Sequence, residues 1–317
     1  MIVHGFAGIG WSEALLQLGM EDIGLELDPA ACQTRAGAGH RTIRCDVTTY
    51  PTWVFKGRTS GKIDSPVCPP FGKSGKKLGL RDLPLVHQAI EDLSRGRDTR
   101  AKLGAACLDQ RSILTAEPMR WHYDLMPQWI CMEQVPSVLP VWEQYADILQ
   151  RWGYSTATGV LDAADFGAGQ VRKRAFLIAS RKRDVQLPAP THGGLGRPPH
   201  TTMADTVGWG YTRRPAPTVT GGGTATGGAE PFGNGTRQAM RRVIGTPLWR
   251  ERDVPHLRPT VAECAALQGF RPGLKFHGLA GQQYLQVGNS LAVAVAVAVA
   301  VIRAAAGIGQ RHLAAAA

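Results

Sequence analysis

The stretch MIVHGFAGIGWSEALLQLGMEDIGLELD, residues 1–28, decides the fold class. Its apolar start, residues 2–4, predicts a short strand, and residues 5–10 form a glycine-rich turn. A helix should follow with Ser12 as its N-cap, and residues 23–27 predict a second strand. A strand, a turn, a helix and a second strand in this order are typical of a parallel α/β sheet.

The same alternation continues along the chain. We expect a helix from Pro29 and short strands at residues 41–44, up to Ile63, at 129–132 and at 176–179. The fold prediction is therefore an α/β protein with a doubly wound, mostly parallel, Rossmann-like sheet. Ligands of such sheets bind at the carboxyl ends of the strands, where the motifs below fall.

Composition excludes several classes of protein. The chain has 317 residues, 44% of them hydrophobic, which suits about two domains and excludes intrinsic disorder. The longest uncharged apolar run, residues 291–302, is too short to span a bilayer, and the N-terminus lacks the basic start of a secretory signal. Six scattered cysteines without a CxxC pair indicate neither a metal site nor a disulfide framework. We expect a cytoplasmic protein, without membrane contact, that binds a polyanion.

The basic excess is concentrated in residues 181–258. This stretch holds twelve Lys or Arg against five Asp or Glu, a net +7 of the total +11. It is rich in glycine and turns, so a flexible basic linker is one interpretation. It also carries Trp209, Tyr211, Phe232 and Trp249, which favour a small loop-rich domain that meets phosphates. The predicted domains are residues 1–180 with 259–317, and residues 181–258.

Two acidic residues close the second and third predicted strands. The turn Gly5-x-x-Gly8-x-Gly10 lacks the GxGxxG spacing of nicotinamide enzymes. Glu26 could bind a ribose diol and Asp46 an adenine amino group, which suits an adenosine cofactor without a pyrophosphate. Both acids could also be ordinary solvated strand ends.

Cys68 lies in the proline-bracketed turn SPVCPPFGKSGKK, residues 65–77. Lysines follow within nine residues, and nearby cations favour a nucleophilic thiolate. The alternative is a buried and inert cysteine. Because such cysteines are rarely flanked by prolines and a lysine cluster, we favour the nucleophile.

The motifs together resemble the bacterial and phage DNA (cytosine-5) methyltransferases. The resemblance covers nearly the whole chain and keeps the family's motif order. The matching segments are FAGIG (6–10), SPVCPPFGKSG (65–75), MEQV (132–135), QVRKR (170–174), RPTVAECAALQGF (258–270) and QVGNS (286–290).

The resemblance implies a site, a cofactor and partners. It implies S-adenosyl-L-methionine as methyl donor, S-adenosyl-L-homocysteine as product, no metal, double-stranded DNA as substrate with base flipping, and a monomer with a cognate restriction endonuclease as a further partner. The implied catalytic residues are Cys68, Glu133, Arg172 and Arg174. The implied cofactor residues are Phe6, Ala7, Gly8, Ile9, Gly10, Glu26, Leu27, Asp46, Val47, Pro66, Leu114, Asn289 and Ser290. The implied DNA-binding residues are Lys73, Lys76, Lys77, Gln170, Arg213, Arg214, Arg237, Arg241 and Arg242. Segment 181–258 would be the target recognition domain.

The chain departs from the family at several positions. The cofactor loop has one glycine where the family usually has two in succession. Val67, Pro69 and Gln134 replace the usual proline, polar residue and asparagine. Residues 81–108 separate the catalytic loop from a short Asp-x-Arg segment and include an amphipathic, helical stretch. Residues 291–302 alternate alanine and valine, and we expect a buried helix there rather than a strand.

Two other function classes fit parts of the sequence. A nicotinamide-dependent oxidoreductase could use the same sheet, but the glycine spacing and the basic segment disfavour it. A catalytically silent DNA-binding relative is disfavoured because Cys68, Glu133 and Arg172 are all present.

Overall fold

The structure is a computed structural model of the chain. It describes residues 1–67, 70–72, 78–221, 231–232, 234–252, 257–290 and 295–308. Several expected features fall outside these ranges, among them Cys68, Lys73, Lys76 and Lys77, and the start of the 291–302 run.

A seven-stranded sheet forms the centre of the described chain. Its strands follow the order β3-β2-β1-β4-β5-β7-β6. The first five positions are mutually parallel, and β7 runs antiparallel to both of its neighbours. A separate two-stranded sheet pairs β8 with β9. The strands are β1 (Ile2–Gly5), β2 (Asp22–Glu26), β3 (Arg41–Arg44), β4 (Gly61–Asp64), β5 (Trp129–Gln134), β6 (Ser155–Asp162), β7 (Lys173–Ser180), β8 (Gly210–Tyr211) and β9 (Trp249–Arg250).

Helices connect the strands and cover the sheet. They are α1 (Gly10–Gln17), α2 (Pro29–Gly37), α3 (Leu78–Leu93), α4 (Arg100–Ala106), α5 (Glu117–Leu125), α6 (Leu139–Arg151), α7 (Met203–Val207), α8 (Asn234–Arg241), α9 (Val261–Leu267), α10 (Ala280–Asn289) and α11 (Val295–Ala306). None of the helices in the described ranges is both long and apolar enough to cross a membrane.

Both faces of the sheet are buried, as the doubly wound prediction requires. Successive side chains of a strand point to opposite faces. Cys131 of β5 accordingly packs in the cluster that holds α1 and α11, whereas Ile130 and Met132 pack in the cluster that holds α3 and α6. The predicted α/β fold with a mostly parallel sheet is therefore confirmed.

A third apolar cluster lies beside the large sheet. It joins Trp209, Tyr211 and Trp249 to side chains of α9 and α10, such as Cys264 and Val287. The basic segment is thus folded where it is described, with aromatic rings at its centre. Residues before and after position 258 belong to this cluster. The domain boundary expected at residue 258 therefore stays a prediction.

One local expectation needs correction, one strand is additional, and the helical stretch expected within residues 81–108 is confirmed. Helix α1 begins at Gly10, and Ser12 is buried inside it rather than capping it, because its hydroxyl donates to Asp22. Strand β6 was not expected, since its sequence STATGVLD lacks large apolar residues at alternate positions. Residues 81–108 hold most of α3 and all of α4, so they extend the helical layer. The helix expected in the alanine–valine run is confirmed from Val295 onward.

Candidate active site

A cavity of about 480 Å³ opens at the carboxyl ends of β1 to β5. Parallel strands that end at one edge bring residues from distant parts of the sequence together. The cavity gathers every predicted cofactor residue except Gly10, which is buried at the start of α1: Phe6, Ala7, Gly8, Ile9, Glu26, Leu27, Asp46, Val47, Pro66, Leu114, Asn289 and Ser290.

The glycine turn after β1 has an unusual backbone that Glu26 holds in place. Phe6 and Gly8 both have positive φ angles, 53° and 45°. One Glu26 carboxylate oxygen accepts from the backbone N–H of Gly8 at 2.8 Å, and the other accepts from Leu27 and Asp28, also at 2.8 Å. Glu26 therefore joins the end of β2 to the turn and contributes negative charge to the wall of the cavity.

Asp46 lies in an exposed turn just after β3. Its Oδ1 atom accepts from the backbone N–H and the hydroxyl of Thr48. These bonds hold the carboxylate where it lines the cavity. The two predicted strand-end acids thus line one cavity from neighbouring strands.

Glu133 is buried near the end of β5, at 5% exposure, and lines the same cavity. Its Oε1 atom lies 3.0 Å from Nε of Arg174. Burial raises the pKa of Glu133, while Arg174, Arg172 and a hydrogen bond from Ser65 act in the opposite direction. A carboxyl group in this balance can both hold and release a proton.

The segment 170–174 holds the site together through alternate side chains. Arg172 is 3% exposed and donates to the carbonyl oxygens of Val219, Gly288 and Ser290. Gln170 is fully buried, donates to the carbonyl of Leu267 and accepts from the backbone N–H of Val219. Both ends of the Gln170 amide are therefore used inside the protein, and the expectation that Gln170 binds DNA stays a prediction.

The turn that contains Cys68 is described only on either side of this residue. Before it, the Gln134 amide donates to the carbonyl oxygen of Pro66 at 2.5 Å. After it, the carbonyl of Phe71 accepts from the hydroxyl of Ser137. Both ends of the turn are thus attached to β5 and the residues that follow it, next to Glu133. Cys68, Lys73, Lys76 and Lys77 lie outside the described residues.

The remaining predicted DNA-binding arginines lie in the basic segment. Arg213 and Arg214 are exposed beside β8, and the Arg214 guanidinium stacks 3.7 Å from the Tyr211 ring centre. Arg237 is half-buried in α8, and Arg241 and Arg242 are exposed at the end of that helix. These positions leave four of the five guanidinium groups at the surface, where phosphates could reach them.

Some residues of the cavity are not among the predicted site residues. They include Trp11, Ser65, and Gln282 and Gln286 of α10. The family's second glycine would have drawn attention to position 11, which tryptophan occupies here. Within the described ranges, no group of three His, Cys, Asp or Glu side chains could hold a metal ion.

Comparison with known proteins identifies the family. The profile of the C-5 cytosine-specific DNA methylases matches residues 103–205. Type II methyltransferase M.NlaX of Neisseria lactamica is 28% identical over 316 residues, which cover 92% of each chain. Both findings support the DNA cytosine-5 methyltransferases as the family of the chain, and DNA methylation as its activity.

Solved structures of methyltransferases share the fold. The Schizosaccharomyces pombe Dnmt2 methyltransferase superposes with a TM-score of 0.61 at 15% identity, over 95% of this chain and 98% of that one. A putative DNA modification methyltransferase from an Escherichia coli prophage gives a TM-score of 0.57 at 17% identity, over 96% and 97%. At these identities the likeness extends to the architecture of the chain and no further.

Proposed function

We propose that the chain transfers a methyl group from S-adenosyl-L-methionine to carbon 5 of cytosine in double-stranded DNA, with S-adenosyl-L-homocysteine as product. The observation that carries this proposal is the position of Glu133. Its buried carboxyl group, paired with Arg174, lies in the same cavity as the glycine turn and Glu26. A methyl donor and a base bound there would meet beside a protonatable group.

The cavity fits S-adenosyl-L-methionine in size and in chemistry. A volume of about 480 Å³ is within the range of cofactor sites. Apolar side chains such as Phe6 and Leu25 suit the adenine ring, and the carboxylates of Glu26 and Asp46 suit hydroxyl and amino donors. When bound, the cofactor supplies an electrophilic sulfonium methyl group that carbon 5 of the base can take.

The chain's own residues would make carbon 5 nucleophilic. The Cys68 thiolate forms a bond to carbon 6, and Glu133 delivers a proton to the ring nitrogen as electron density moves onto the ring, which leaves an enamine. After methylation, carbon 5 loses its proton to solvent, the thiolate leaves, and the ring nitrogen returns its proton to Glu133, which restores the neutral aromatic ring and the acid. Because Glu133 is buried inside the cavity, the base must leave the DNA stack to reach it.

The two arginines near Glu133 would have different tasks. Arg172 donates to three backbone carbonyls and is almost fully buried, so we propose that it holds the walls of the site. Both arginines line the cavity, but the Arg174 side chain is 14% exposed, whereas Arg172 is 3% exposed. We therefore assign to Arg174, rather than to Arg172, the contact with the carbonyl oxygen of the base.

The setting of the reaction is also a proposal. The type II names of the curated relatives support a role beside a cognate restriction endonuclease. The basic segment supports phosphate contacts by Arg213, Arg214, Arg237, Arg241 and Arg242, and the catalytic turn would add Lys73, Lys76 and Lys77. We propose that the protein is cytoplasmic and that it is a monomer. Light scattering of the purified protein tests the monomeric state directly.

Incubation with methyl-labelled S-adenosyl-L-methionine and mixed-sequence DNA tests the reaction. Label at carbon 5 of cytosine is expected, whereas a nicotinamide oxidoreductase or a silent DNA-binding relative would transfer none. DNA with 5-fluorocytosine at the target should form a denaturation-resistant adduct, because fluorine blocks the last elimination. Cys68→Ser should abolish the adduct in a folded protein, and an adduct that persists in this variant overturns the assignment of the nucleophile.

A further inference from the structure

Trp11 occupies the position of the second glycine of the cofactor loop and contacts two neighbours of Glu133. Its side chain is 1% exposed, and Nε1 donates to the Ser65 hydroxyl oxygen at 2.9 Å. Its ring packs edge-on against Phe176, with centroids 6.3 Å apart and an angle of 87°. Phe176 is the residue of β7 that pairs with Glu133 of β5.

Strand register places Ser65 next to Glu133 on the other side. Asp64, the last residue of β4, pairs in parallel with Met132 of β5, so the next residue of each chain segment, Ser65 and Glu133, occupies the following position at the sheet edge. Both line the same cavity. The indole of Trp11 therefore lies over both β7 and the end of β4, on either side of the carboxyl group.

The chemistry of the two groups sets the direction of the hydrogen bonds. An indole N–H can only donate, so the Ser65 oxygen accepts from Trp11 and keeps its own proton for another acceptor. Glu133 is the acceptor at the adjacent position of β5, and Ser65 is among the groups that lower the pKa of this carboxyl against burial. The charged groups that act on Glu133 in the same direction are Arg172 and Arg174.

We propose that Trp11 and Ser65 are positioning residues for Glu133. The Trp11 indole holds the Ser65 hydroxyl so that it points toward the carboxyl group. The glycine turn that faces the cofactor and the acid that faces the base would then be held as one unit. This inference deepens the proposed function and rests on the role of Glu133 in it.

The rate of single-turnover methyl transfer as a function of pH tests the proposal. Ser65→Ala removes a donor to the carboxylate, so the acid keeps its proton to higher pH. The alkaline limb should move upward by on the order of one pH unit. Trp11→Phe keeps a ring against Phe176 but loses the N–H, and should give a smaller shift in the same direction. Ser65→Thr retains the hydroxyl and should restore the wild-type profile.

A double-mutant cycle shows whether Trp11 affects Glu133 through Ser65 or independently of it. If Trp11 acts through Ser65, then Trp11→Phe adds no further shift in the Ser65→Ala background. Additive shifts, or an unchanged profile in Ser65→Ala, overturn the proposal. Ser94→Ala is the matched control, because Ser94 donates to the Glu91 carbonyl at the end of α3, and its profile should equal that of the wild type.

A direct titration makes the result independent of catalysis. The carboxyl group of Glu133 can be followed by carbon-13 NMR of labelled glutamate, with Glu133→Gln used for assignment. A higher pKa of Glu133 in Ser65→Ala is expected whether or not the protein methylates DNA. An inactive wild-type protein with this shift overturns the proposed function alone, and an active one without it overturns only this inference.

Discussion

Arg35 donates a hydrogen bond from Nη1 to the carbonyl oxygen of Gly8, over 2.8 Å. Arg35 is fully buried beneath the glycine turn and lies 3.4 Å from Asp22. The room for it comes from Gly24 of β2, where a Cβ atom would lie 2.2 Å from the guanidinium. The backbone of the turn, which has positive φ angles at Phe6 and Gly8, therefore rests on a fixed cation from α2.

Arg35→Met should weaken cofactor binding by about tenfold or more and destabilise the fold by about 3–5 kcal/mol, because it leaves Asp22 buried without its cation. Urea unfolding and a titration with S-adenosyl-L-methionine measure the two effects. Arg41→Ala is the control, since its ion pair with Glu21 is largely exposed and is worth at most about 1 kcal/mol. Unchanged cofactor affinity in folded Arg35→Met would show that the turn keeps its shape without this support.

Glu133→Gln should keep DNA and cofactor binding within a few-fold and lower the methylation rate by on the order of 100-fold or more. Glutamine can still donate a hydrogen bond to a ring nitrogen, but it cannot transfer a proton. Single-turnover methyl transfer at saturating DNA and cofactor gives the rate, and a binding titration gives the affinities. A near-normal rate would mean that another group supplies the proton.

Arg241→Ala with Arg242→Ala should weaken DNA binding to all sequences alike. If both arginines meet phosphates, the slope of log affinity against log salt should fall by about 2. Lys56→Ala with Arg58→Ala is the control, because these exposed residues precede β4 and lie at the opposite edge of the sheet from the cavity. A change only in which sequence is methylated would identify Arg241 and Arg242 as base readers instead.

Gly288→Ala should destabilise the protein by about 1–3 kcal/mol or more. A Cβ atom there would lie 2.1 Å from the backbone nitrogen of Gly221 and 2.3 Å from the carbonyl carbon of Thr220, and backbone cannot rotate away. Gly281→Ala, in the same helix α10, has no heavy atom within 4 Å of the new Cβ. It should be neutral or stabilise by up to about 1 kcal/mol. Thermal unfolding compares the stabilities of the two variants. Equal stabilities would contradict the close approach of the Gly288 and Gly221 backbones.

The free energy of unfolding should decrease as pH falls from 7 to 5. His4 and His122 are fully buried, and burial lowers the pKa of each. The folded state therefore holds them neutral, whereas the unfolded state takes up protons below about pH 6.5. Stability is lost below that value, by at most about 1.4 kcal/mol per pH unit for each histidine. Urea unfolding across this range measures the slope of the free energy of unfolding against pH, and His122→Gln should make this slope smaller. An unchanged slope would mean that groups other than His122 take up the protons.

The positions of the cavity residues could be predicted because they depend on local order along the chain. Glu26, Asp46 and Glu133 each close or follow a strand, and parallel strands bring their carboxyl ends to one edge. The same reasoning located most strands to within two residues. Strand β6 could not be predicted, because its small and polar residues give no alternating apolar pattern.

The partners of the predicted residues could not be read from the sequence. Gln170 and Arg172 bond to backbone groups at Val219, almost fifty positions away, and backbone atoms carry no residue-specific signal. The start of α1 was misplaced for a similar reason. The Ser12 hydroxyl is held by Asp22 and Arg35, two long-range partners that outweigh its local preference for an N-cap.

The anchorage of the basic segment at Val219 bears on how this enzyme could change over evolution. Gln170 and Arg172 form hydrogen bonds with the main chain of Val219. Gly288 leaves space for the main chain of Thr220 and Gly221. These contacts use amide and carbonyl groups, so they do not depend on which side chains the segment carries elsewhere. Side chains elsewhere in the segment can thus change while its attachment to the large sheet stays intact. If the segment recognises the DNA target, as its resemblance to a target recognition domain implies, a new target preference requires no change in the residues around Glu133.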